Sequence, residues 1–318
     1  MKCRWLLLFL FAFTSIIAQP VKNHGRLKVI GTQLVDKNNK HVALHGVSLG
    51  WHNWWPRFYN AGAVKWLYND WNCSVIRAAM GVEPDKGYIK DPVHSKEKIK
   101  AVVDAAIKEG IYVIIDWHSH NINLVEAKSF FTEMAATYGK YPNVLYEIFN
   151  EPDRESWKEV KEYSTEIIAT IRAIDPNNII LVGSPQWDQS IHLPAEDPIK
   201  GFENLMYTMH FYAGTHKQWL RDRTDAAIAK GLPIFISESA GMEASGDGPI
   251  NQVEWQKWID WMDAKGLSWI TWSVADKNET CSMLQSTALA DGKWQMIDLK
   301  ESGIKTRNYL RGYPSVKK

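Results

Sequence analysis

Short apolar runs alternate with longer amphipathic stretches along most of the chain. Eight runs are nearly continuous in apolar residues, which is typical of strands that are buried on both faces of a parallel sheet. Stretches with helical spacing separate most of these runs, and one Pro-rich interval, 185–198, is predicted to be irregular. The runs occupy residues 42–48, 74–80, 111–117, 143–150, 178–184, 205–211, 233–238 and 267–272, and the helical stretches occupy about 61–72, 95–110, 123–140, 155–174, 217–230, 250–265 and 301–311.

This alternation predicts an α/β fold in which eight strand–helix units close into a (β/α)8 TIM barrel. Residues 26–44 form an additional β-rich segment with a polar turn at residues 38–40. We expect this N-terminal β-hairpin to cap the bottom of the barrel. Because no Ser/Thr/Pro-rich linker or low-complexity tract is visible, a single domain is predicted.

The amino terminus has the pattern of a secretory signal peptide. Lys2 and Arg4 precede an apolar run over residues 5–13, and small residues follow as far as Ala18. This run is too short to span a bilayer comfortably. We therefore expect a signal peptide at 1–18, one domain over 19–318, and secretion to an extracellular or periplasmic location; a retained amino-terminal anchor is the alternative.

Charge and cysteine content restrict the partners of the chain. Loss of Lys2 and Arg4 would change the formal net charge from +1 to −1, and no basic run occurs elsewhere. Neither nucleic acid nor an anionic membrane surface is therefore an expected partner, and a neutral substrate fits better. Cys73 precedes the second strand and Cys281 follows the eighth, at opposite ends of the barrel, so both thiols should be free. A monomer without a cofactor is expected.

Polar and ionisable residues collect where the strands end, which is where the active site of such a barrel lies. Buried ionisable groups are costly unless they serve a purpose. Two glutamates, Glu151 and Glu238, are predicted to face each other across the barrel mouth, as the two carboxyl groups of a glycoside hydrolase do. The other strand-end residues are Arg77, Asp116, His118, His120, Asn150, His210, Tyr212 and Trp272.

Six segments in order along the chain resemble glycoside hydrolase family 5, the cellulase A family of a larger (β/α)8 clan. The most distinctive is YEIFNEPD at 146–153, and the similarity extends from about residue 26 to 312. Within the family the chain is similar to bacterial endoglucanases. The other segments are VIRAAMG around Arg77, VIIDWHSH around His118, YTMHFYAG around His210, FISES around Glu238 and TWSVADKNE around Trp272.

The resemblance implies a retaining endo-β-1,4-glucanase that cleaves cellulose-type glucans, with Glu151 as the acid/base and Glu238 as the nucleophile. No metal is implied. His120 has either a supporting or a purely structural role. The supporting catalytic residues would be Arg77, His118, Asn150, His210 and Tyr212, and the sugar-binding residues would be Trp54, Trp187, Trp272, Lys277 and Glu279. 

The resemblance also implies a cis peptide bond after Trp272. Because Glu151 and Glu238 end facing strands of a narrow barrel, we expect the short carboxyl separation of a retaining enzyme. Three positions depart from the family pattern and put the substrate range in doubt: Ser239 stands where an aromatic residue is usual, Thr271 replaces an Asn, and Gly50 replaces a His.

Three alternatives remain open at this point. The same mechanism could act on β-mannan, xyloglucan or mixed-linkage β-glucan. A metal-dependent barrel hydrolase could use His118 and His120, which lie on one side of a strand. A non-catalytic sugar-binding protein would lack one of the two glutamates, and both are present.

Overall fold

Eight parallel strands close into a barrel in the computed structural model, which describes residues 19–313. The barrel runs in the order β3-β4-β5-β6-β7-β8-β9-β10 and closes where β10 pairs with β3. The predicted TIM-barrel fold is therefore confirmed. Its strands are β3 (His45–Leu49), β4 (Val75–Gly81), β5 (Tyr112–His118), β6 (Val144–Glu147), β7 (Ile180–Val182), β8 (Leu205–Tyr212), β9 (Ile234–Ala240) and β10 (Trp269–Val274).

Helices cover the outside of the barrel at most of the predicted positions. The interval 185–198, predicted to be irregular, contains one short helix at His192–Glu196, so the prediction was wrong there; Pro185–Asp188 is a single turn whose inner residues have left-handed backbone angles, as an irregular segment would. The helices are α1 (Pro20–His24), α2 (Ala61–Asn69), α3 (Pro92–Glu109), α4 (Leu124–Tyr138), α5 (Trp157–Arg172), α6 (Pro185–Asp188), α7 (His192–Glu196), α8 (Gln218–Ala229), α9 (Gln252–Lys265) and α10 (Glu301–Gly312).

The N-terminal hairpin lies at the predicted end of the barrel, but its turn differs from the prediction. Strands β1 (Lys28–Ile30) and β2 (Gln33–Val35) pair antiparallel around Gly31, whose φ of +60° favours glycine. The predicted turn at 38–40 closes only an isolated bridge between Val35 and His41. Leu27 and Leu34 pack against apolar side chains near the starts of the barrel strands, so the hairpin caps the bottom.

Burial explains why the strands read as continuous apolar runs. Every residue of β4, β5 and β9 is buried, because one face meets the barrel interior and the other meets the helices. Local signals fix the helix ends. Ser156 and Glu159 form a capping box at the start of α5, and Gly110 ends α3 in the left-handed conformation at φ +74°.

The strand register brings the polar residues of the mouth together. Asp116 on β5 lies opposite Glu147 on β6, and His210 on β8 lies opposite Glu238 on β9. The β8–β9 pairing shifts just before His210, because β9 contains one extra residue relative to β8 in this interval. Bulges of this kind commonly re-aim side chains beside active sites.

Both cysteines in the described part of the chain are free and buried, as predicted. Burial raises the pKa of the Cys73 and Cys281 thiols, so neither is a reactive thiolate.

Within residues 19–313, no helix has the length and apolar character needed to cross a membrane. The predicted signal peptide at 1–18 and the last residues of the predicted domain, 314–318, lie outside the described residues.

Candidate active site

Glu151 and Glu238 face each other at the carboxyl ends of the barrel strands. Glu238 lies within β9, and Glu151 follows β6 by four residues. A carboxylate oxygen of each lies within 4.8 Å of the other and of a ring nitrogen of His210. The side chains are 14% exposed at Glu151 and 5% exposed at Glu238. The two carboxyl groups are therefore close enough to act on one small group held between them.

Arg77 is the buried cation beneath this pair. Its Nη1 lies 2.9 Å from Glu238 and its Nε lies 2.6 Å from Glu147, while Nη2 lies 3.0 Å from Asp116. Nη2 also donates to the side-chain oxygen of Asn150 at 2.6 Å. Arg77, which lies on β4, thus connects this strand to β5, β6 and β9 and fixes the position of Glu238.

Glu147 was not predicted as a site residue, although it is central to this network. It has no exposed side-chain surface. Burial acts to raise its pKa, but Arg77 and then His210 outweigh burial and lower that pKa to about 2. The only sequence signal was an acidic residue inside an otherwise apolar strand. Glu147 stays ionised and helps to neutralise the buried guanidinium.

Tyr212 completes the surroundings of Glu238. Its hydroxyl donates to Glu238 Oε1 at 2.7 Å, while Arg77 donates to the other oxygen, Oε2. Both donors hold the carboxylate in one orientation, with its remaining lone pairs toward the mouth. The structure therefore brings together Arg77, Asn150, Tyr212 and Glu238 as the sequence predicted.

His118 lies between Asp116 and Trp272 and supports the Trp272 ring. Its Nδ1 is 2.7 Å from Asp116, and its ring stacks parallel to the Trp272 ring with centroids 5.0 Å apart. Trp51 contacts the edge of His118 at a centroid distance of 4.3 Å. The Trp272–Ser273 peptide bond is cis, as predicted. These contacts form an aromatic floor beside Glu238.

His210 connects Glu151 to a second buried acid that sequence reasoning missed. Nδ1 of His210 lies 2.9 Å from Glu151, and Nε2 lies 2.8 Å from the Ser237 hydroxyl and 3.3 Å from Asp188. Asp188 is fully buried and also accepts from the Thr208 hydroxyl. It acts as a positioning residue that orients the ring of His210 toward Glu151.

Asp188 and Trp187 belong to one left-handed turn after β7. Gln186, Trp187 and Asp188 all have φ between +54° and +60°, which is rare for residues with side chains. The Trp187 amide donates to the Pro152 carbonyl at 3.0 Å, directly after Glu151. This turn buries Asp188 beneath His210 and leaves Trp187 47% exposed at the mouth. No sequence pattern that we recognised predicted the turn.

The two glutamates influence each other's protonation. Burial and the Glu151 charge raise the pKa of Glu238, against the effects of His210, Arg77 and Tyr212. Burial also acts to raise the pKa of Glu151, but the hydrogen bond and charge of His210 outweigh it and lower that pKa. Two carboxylates this close titrate as a coupled pair, because the charge of each raises the pKa of the other. The pKa of Glu238 is the higher of the two.

The predicted sugar-binding residues fall into separate groups. Trp54 is 52% exposed and packs on Trp51, beside the aromatic floor. Lys277 and Glu279 pair with each other in the loop after β10. The Glu279 carboxylate accepts from the Cys281 thiol, which packs in one cluster with Trp272.

Trp187 lies on the other side of the catalytic pair. It lines a cavity of about 440 Å³, together with Glu151, His210, Tyr212, Gln189, Thr215, His216 and Ala244. The structure thus brings Trp54 and Trp272 together on one side of the glutamates and places Trp187 on the other.

The two histidines of the metal-hydrolase alternative do not form a metal site. Among the described residues, the one group of three or more possible ligands is Glu151, His210 and Glu238, which excludes both His118 and His120. His118 is bonded to Asp116, and His120 Nδ1 lies 3.8 Å from Glu151. His118 instead supports the aromatic floor, and His120 borders the Glu151 carboxyl group.

The departures from the family pattern lie in the wall of the site. The Ser239 hydroxyl donates to the Ile270 carbonyl at 2.8 Å, within the barrel wall. A Cβ at Gly50 would lie 3.0 Å from that of Ala275, so the backbone packs closely there. His52, near Gly50, is buried and lies 2.8 Å from the Ser95 hydroxyl, so it does not replace the missing His at the mouth.

Comparison with known proteins places this chain in a family. The family model for cellulase (glycosyl hydrolase family 5) matches residues 35–278. The chain therefore belongs to glycosyl hydrolase family 5.

Curated relatives in this family are bacterial endoglucanases. An endoglucanase of Clostridium saccharobutylicum is 45% identical over 91% of this chain and 65% of its own length. Endoglucanase N of Pectobacterium atrosepticum is 42% identical over 94% of this chain and 68% of its own length. The chain thus spans about two thirds of the length of these relatives.

Solved structures have the same fold. A structure from Cytophaga hutchinsonii has a TM-score of 0.91 and 44% identity, covering 92% of this chain and 97% of that chain. The catalytic domain of a Thermobifida fusca endoglucanase, which was also solved in complex with cellotetraose, has a TM-score of 0.88 and 31% identity. This match covers 93% of the present chain and 100% of the Thermobifida fusca chain.

The role of Glu147 leads to a stability prediction. Glu147→Gln removes one partner of a buried ion pair and should lower the free energy of unfolding at pH 7 by about 3–5 kcal/mol. The folded pKa lies below the ordinary value of 4.5, so the stabilisation is complete above 4.5 and is lost as the pH falls toward 2. Urea unfolding at pH 7 and pH 3 should therefore show a smaller difference between mutant and wild type at pH 3.

The matched control for this measurement is Glu162→Gln, which changes an exposed glutamate of α5. It should alter the free energy of unfolding by less than about 0.5 kcal/mol. A Glu147→Gln variant as stable as this control at pH 7 would contradict the account of the Arg77 network.

Proposed function

We propose that this protein is a retaining endo-β-1,4-glucanase that cleaves internal bonds of cellulose-type glucans by double displacement. The observation that carries the proposal is the carboxylate oxygen of Glu151 within 4.8 Å of that of Glu238. Retaining enzymes hold their carboxyl groups about 5–5.5 Å apart, whereas inverting enzymes leave about 6.5–9.5 Å for a water molecule. The endoglucanase relatives and family membership support the choice of reaction.

In the first step Glu238 attacks the anomeric carbon while Glu151 protonates the departing glycosidic oxygen. The C–O bond to the leaving sugar breaks, and an ester bond forms between Glu238 and the sugar. Arg77 and Tyr212 hold the attacking carboxylate in place through its two oxygens. Asn150, held by Arg77, is placed to bond the sugar that is attacked.

These roles require the proton on Glu151, although Glu238 has the higher pKa of the two without a sugar beside it. A bound sugar would favour the proton on Glu151 over Glu238, for two reasons. The glycosidic oxygen beside Glu151 is an acceptor that favours its protonated form, while positive charge developing at the anomeric carbon favours the Glu238 anion. Substrate binding therefore places the proton where the first step needs it.

In the second step Glu151 acts as a base. Once Glu238 is esterified, its charge is gone, which lowers the pKa of Glu151 and leaves it ionised. Glu151 then removes a proton from water, the water oxygen bonds to the anomeric carbon, and Glu238 leaves as a carboxylate. His210, oriented by Asp188, bonds Glu151 in both steps.

The substrate class follows from the two groups of aromatic residues. Trp272 and Trp54 offer ring faces on one side of the cleavage point, and Trp187 does so on the other, so a chain can extend in both directions. This arrangement favours internal cleavage of a neutral polysaccharide. The lack of a basic run in the sequence supports an enzyme without a nucleic acid or membrane partner, and we propose that it acts as a monomer. Assays of viscosity and reducing sugar on carboxymethylcellulose, β-mannan, xyloglucan and lichenan separate the substrate alternatives.

We also propose that the enzyme is secreted and that residues 1–18 are removed. The charged start, the apolar run and the small residues before Ala18 support this proposal. Protein recovered outside the cytoplasm should have the mass of a chain that begins near Gln19; the full-length mass there would contradict it.

The roles of the glutamates predict two inactive variants. Glu151→Gln removes the acid/base and Glu238→Gln removes the nucleophile, so each should lower kcat on glucan by at least about 10³-fold, since acid–base catalysis alone contributes about 10²–10⁴-fold. Azide can take the place of a missing carboxylate and should partly restore turnover of an aryl cellobioside by one or both variants.

Glu162→Gln, the exposed control used above, should retain full activity. Near-wild-type turnover of glucan by either site variant would overturn the role assignment, whatever the activity of the control.

A further inference from the structure

Trp219 is an exposed tryptophan just outside the cavity on the Trp187 side of the catalytic pair. It lies in the first turn of α8, directly after the loop that follows β8. Because helices that follow barrel strands begin at the mouth, Trp219 lies at the same end of the barrel as the glutamates. Its side chain is 42% exposed, although tryptophan is normally well buried.

Trp219 contacts one lining residue of that cavity directly and is connected to a second one through Arg223. Its ring meets the edge of His216, with centroids 5.9 Å apart, and His216 is one of the cavity-lining residues. On the other side, the Arg223 guanidinium lies 4.8 Å from the ring centroid and donates to the Gln189 carbonyl at 2.9 Å. Gln189 also lines the cavity, two residues after Trp187. Trp219 therefore lies next to the cavity that Glu151 lines.

These contacts hold the ring in a fixed orientation while they leave much of it open to solvent. A cation over one face of an exposed tryptophan restricts its rotation, and the hydrogen bond to Gln189 restricts Arg223 in turn. The His216 ring is itself fixed, because its Nδ1 accepts from the Tyr212 amide at 2.8 Å. A pre-oriented aromatic surface loses little entropy when it binds a ligand.

We propose that Trp219 forms an outer sugar-binding subsite on the leaving-group side, beyond the sugar that contacts Trp187. This proposal rests on the proposed function, since its ligand is the reducing-end part of a β-1,4-glucan. An open aromatic face provides a platform for the apolar C–H face of a glucosyl unit. This second aromatic surface would strengthen the binding of long substrates and leave the binding of short ones unchanged.

Trp219→Ala tests this proposal by comparing two substrates. A nitrophenyl β-cellobioside has only a small aromatic leaving group and does not reach Trp219, so its kcat/KM should stay within twofold of wild type. Cellohexaose extends across the cavity, and its kcat/KM should fall about three- to tenfold, the size expected for one lost aromatic contact. Trp219→Phe keeps a ring and should recover most of this loss.

The cleavage pattern gives a second readout. With cellohexaose labelled at its reducing end, loss of an outer leaving-side subsite should move the preferred cleavage point toward the reducing end. The matched control is Val253→Ala, which shortens another exposed apolar side chain, 70% exposed on α9. It should change neither the substrate ratio nor the cleavage pattern.

Three results would overturn the proposal. Unchanged activity on both cellohexaose and the cellobioside means that Trp219 contacts no sugar. An equal fall on both substrates shows that Trp219 only supports the fold of the site. If the wild-type enzyme cleaves both substrates, either result removes the subsite and leaves the proposed function intact. If the wild-type protein cleaves neither substrate, the proposed function and the subsite are overturned together.

Discussion

The ion pairs of Arg77 are the constraint on which the rest of the site depends. A guanidinium without solvent contact requires compensation, and three buried carboxyl groups from β5, β6 and β9 provide it, with Glu147 as the group whose pKa is lowered. Because these partners come from separate strands, the barrel must close in one register to bring them together. The same pairs hold Glu238 in place, so the interaction that makes a buried cation tolerable also positions the proposed nucleophile.

A second network holds Glu151 in place. His210 lies between Glu151 and Asp188, and Asp188 is buried by a left-handed turn that also carries Trp187. The orientation of the acid/base is thereby linked to the surface on which the departing part of the substrate would bind. The two networks meet at the pair of glutamates, whose pKa values depend on each other.

Much of this arrangement could be predicted from sequence, because strand ends in a parallel barrel converge. Apolar runs indicated the strands, and the residues at their ends, including Arg77 and Glu238, are the ones that meet at the mouth. Glu147 was missed because its partners, Arg77 on β4 and His210 on β8, reach it across the barrel interior from strands that do not pair with β6. Asp188 was missed because its left-handed backbone conformation has no clear sequence signature. The hairpin turn was misplaced because Gly31 is a weaker turn signal than the Asn-Asn-Lys stretch at 38–40.

The central claim is that Glu238 attacks the sugar directly because the two carboxyl groups are too close to admit a water molecule between them and the anomeric carbon. Proton NMR of the first minutes of cello-oligosaccharide hydrolysis tests this claim, because the anomeric signals identify the initial product. The account predicts β-anomer first, with α-anomer appearing later by mutarotation. If α-anomer appears first, a water molecule has attacked in place of Glu238, and the mechanism is contradicted even if both glutamates are essential.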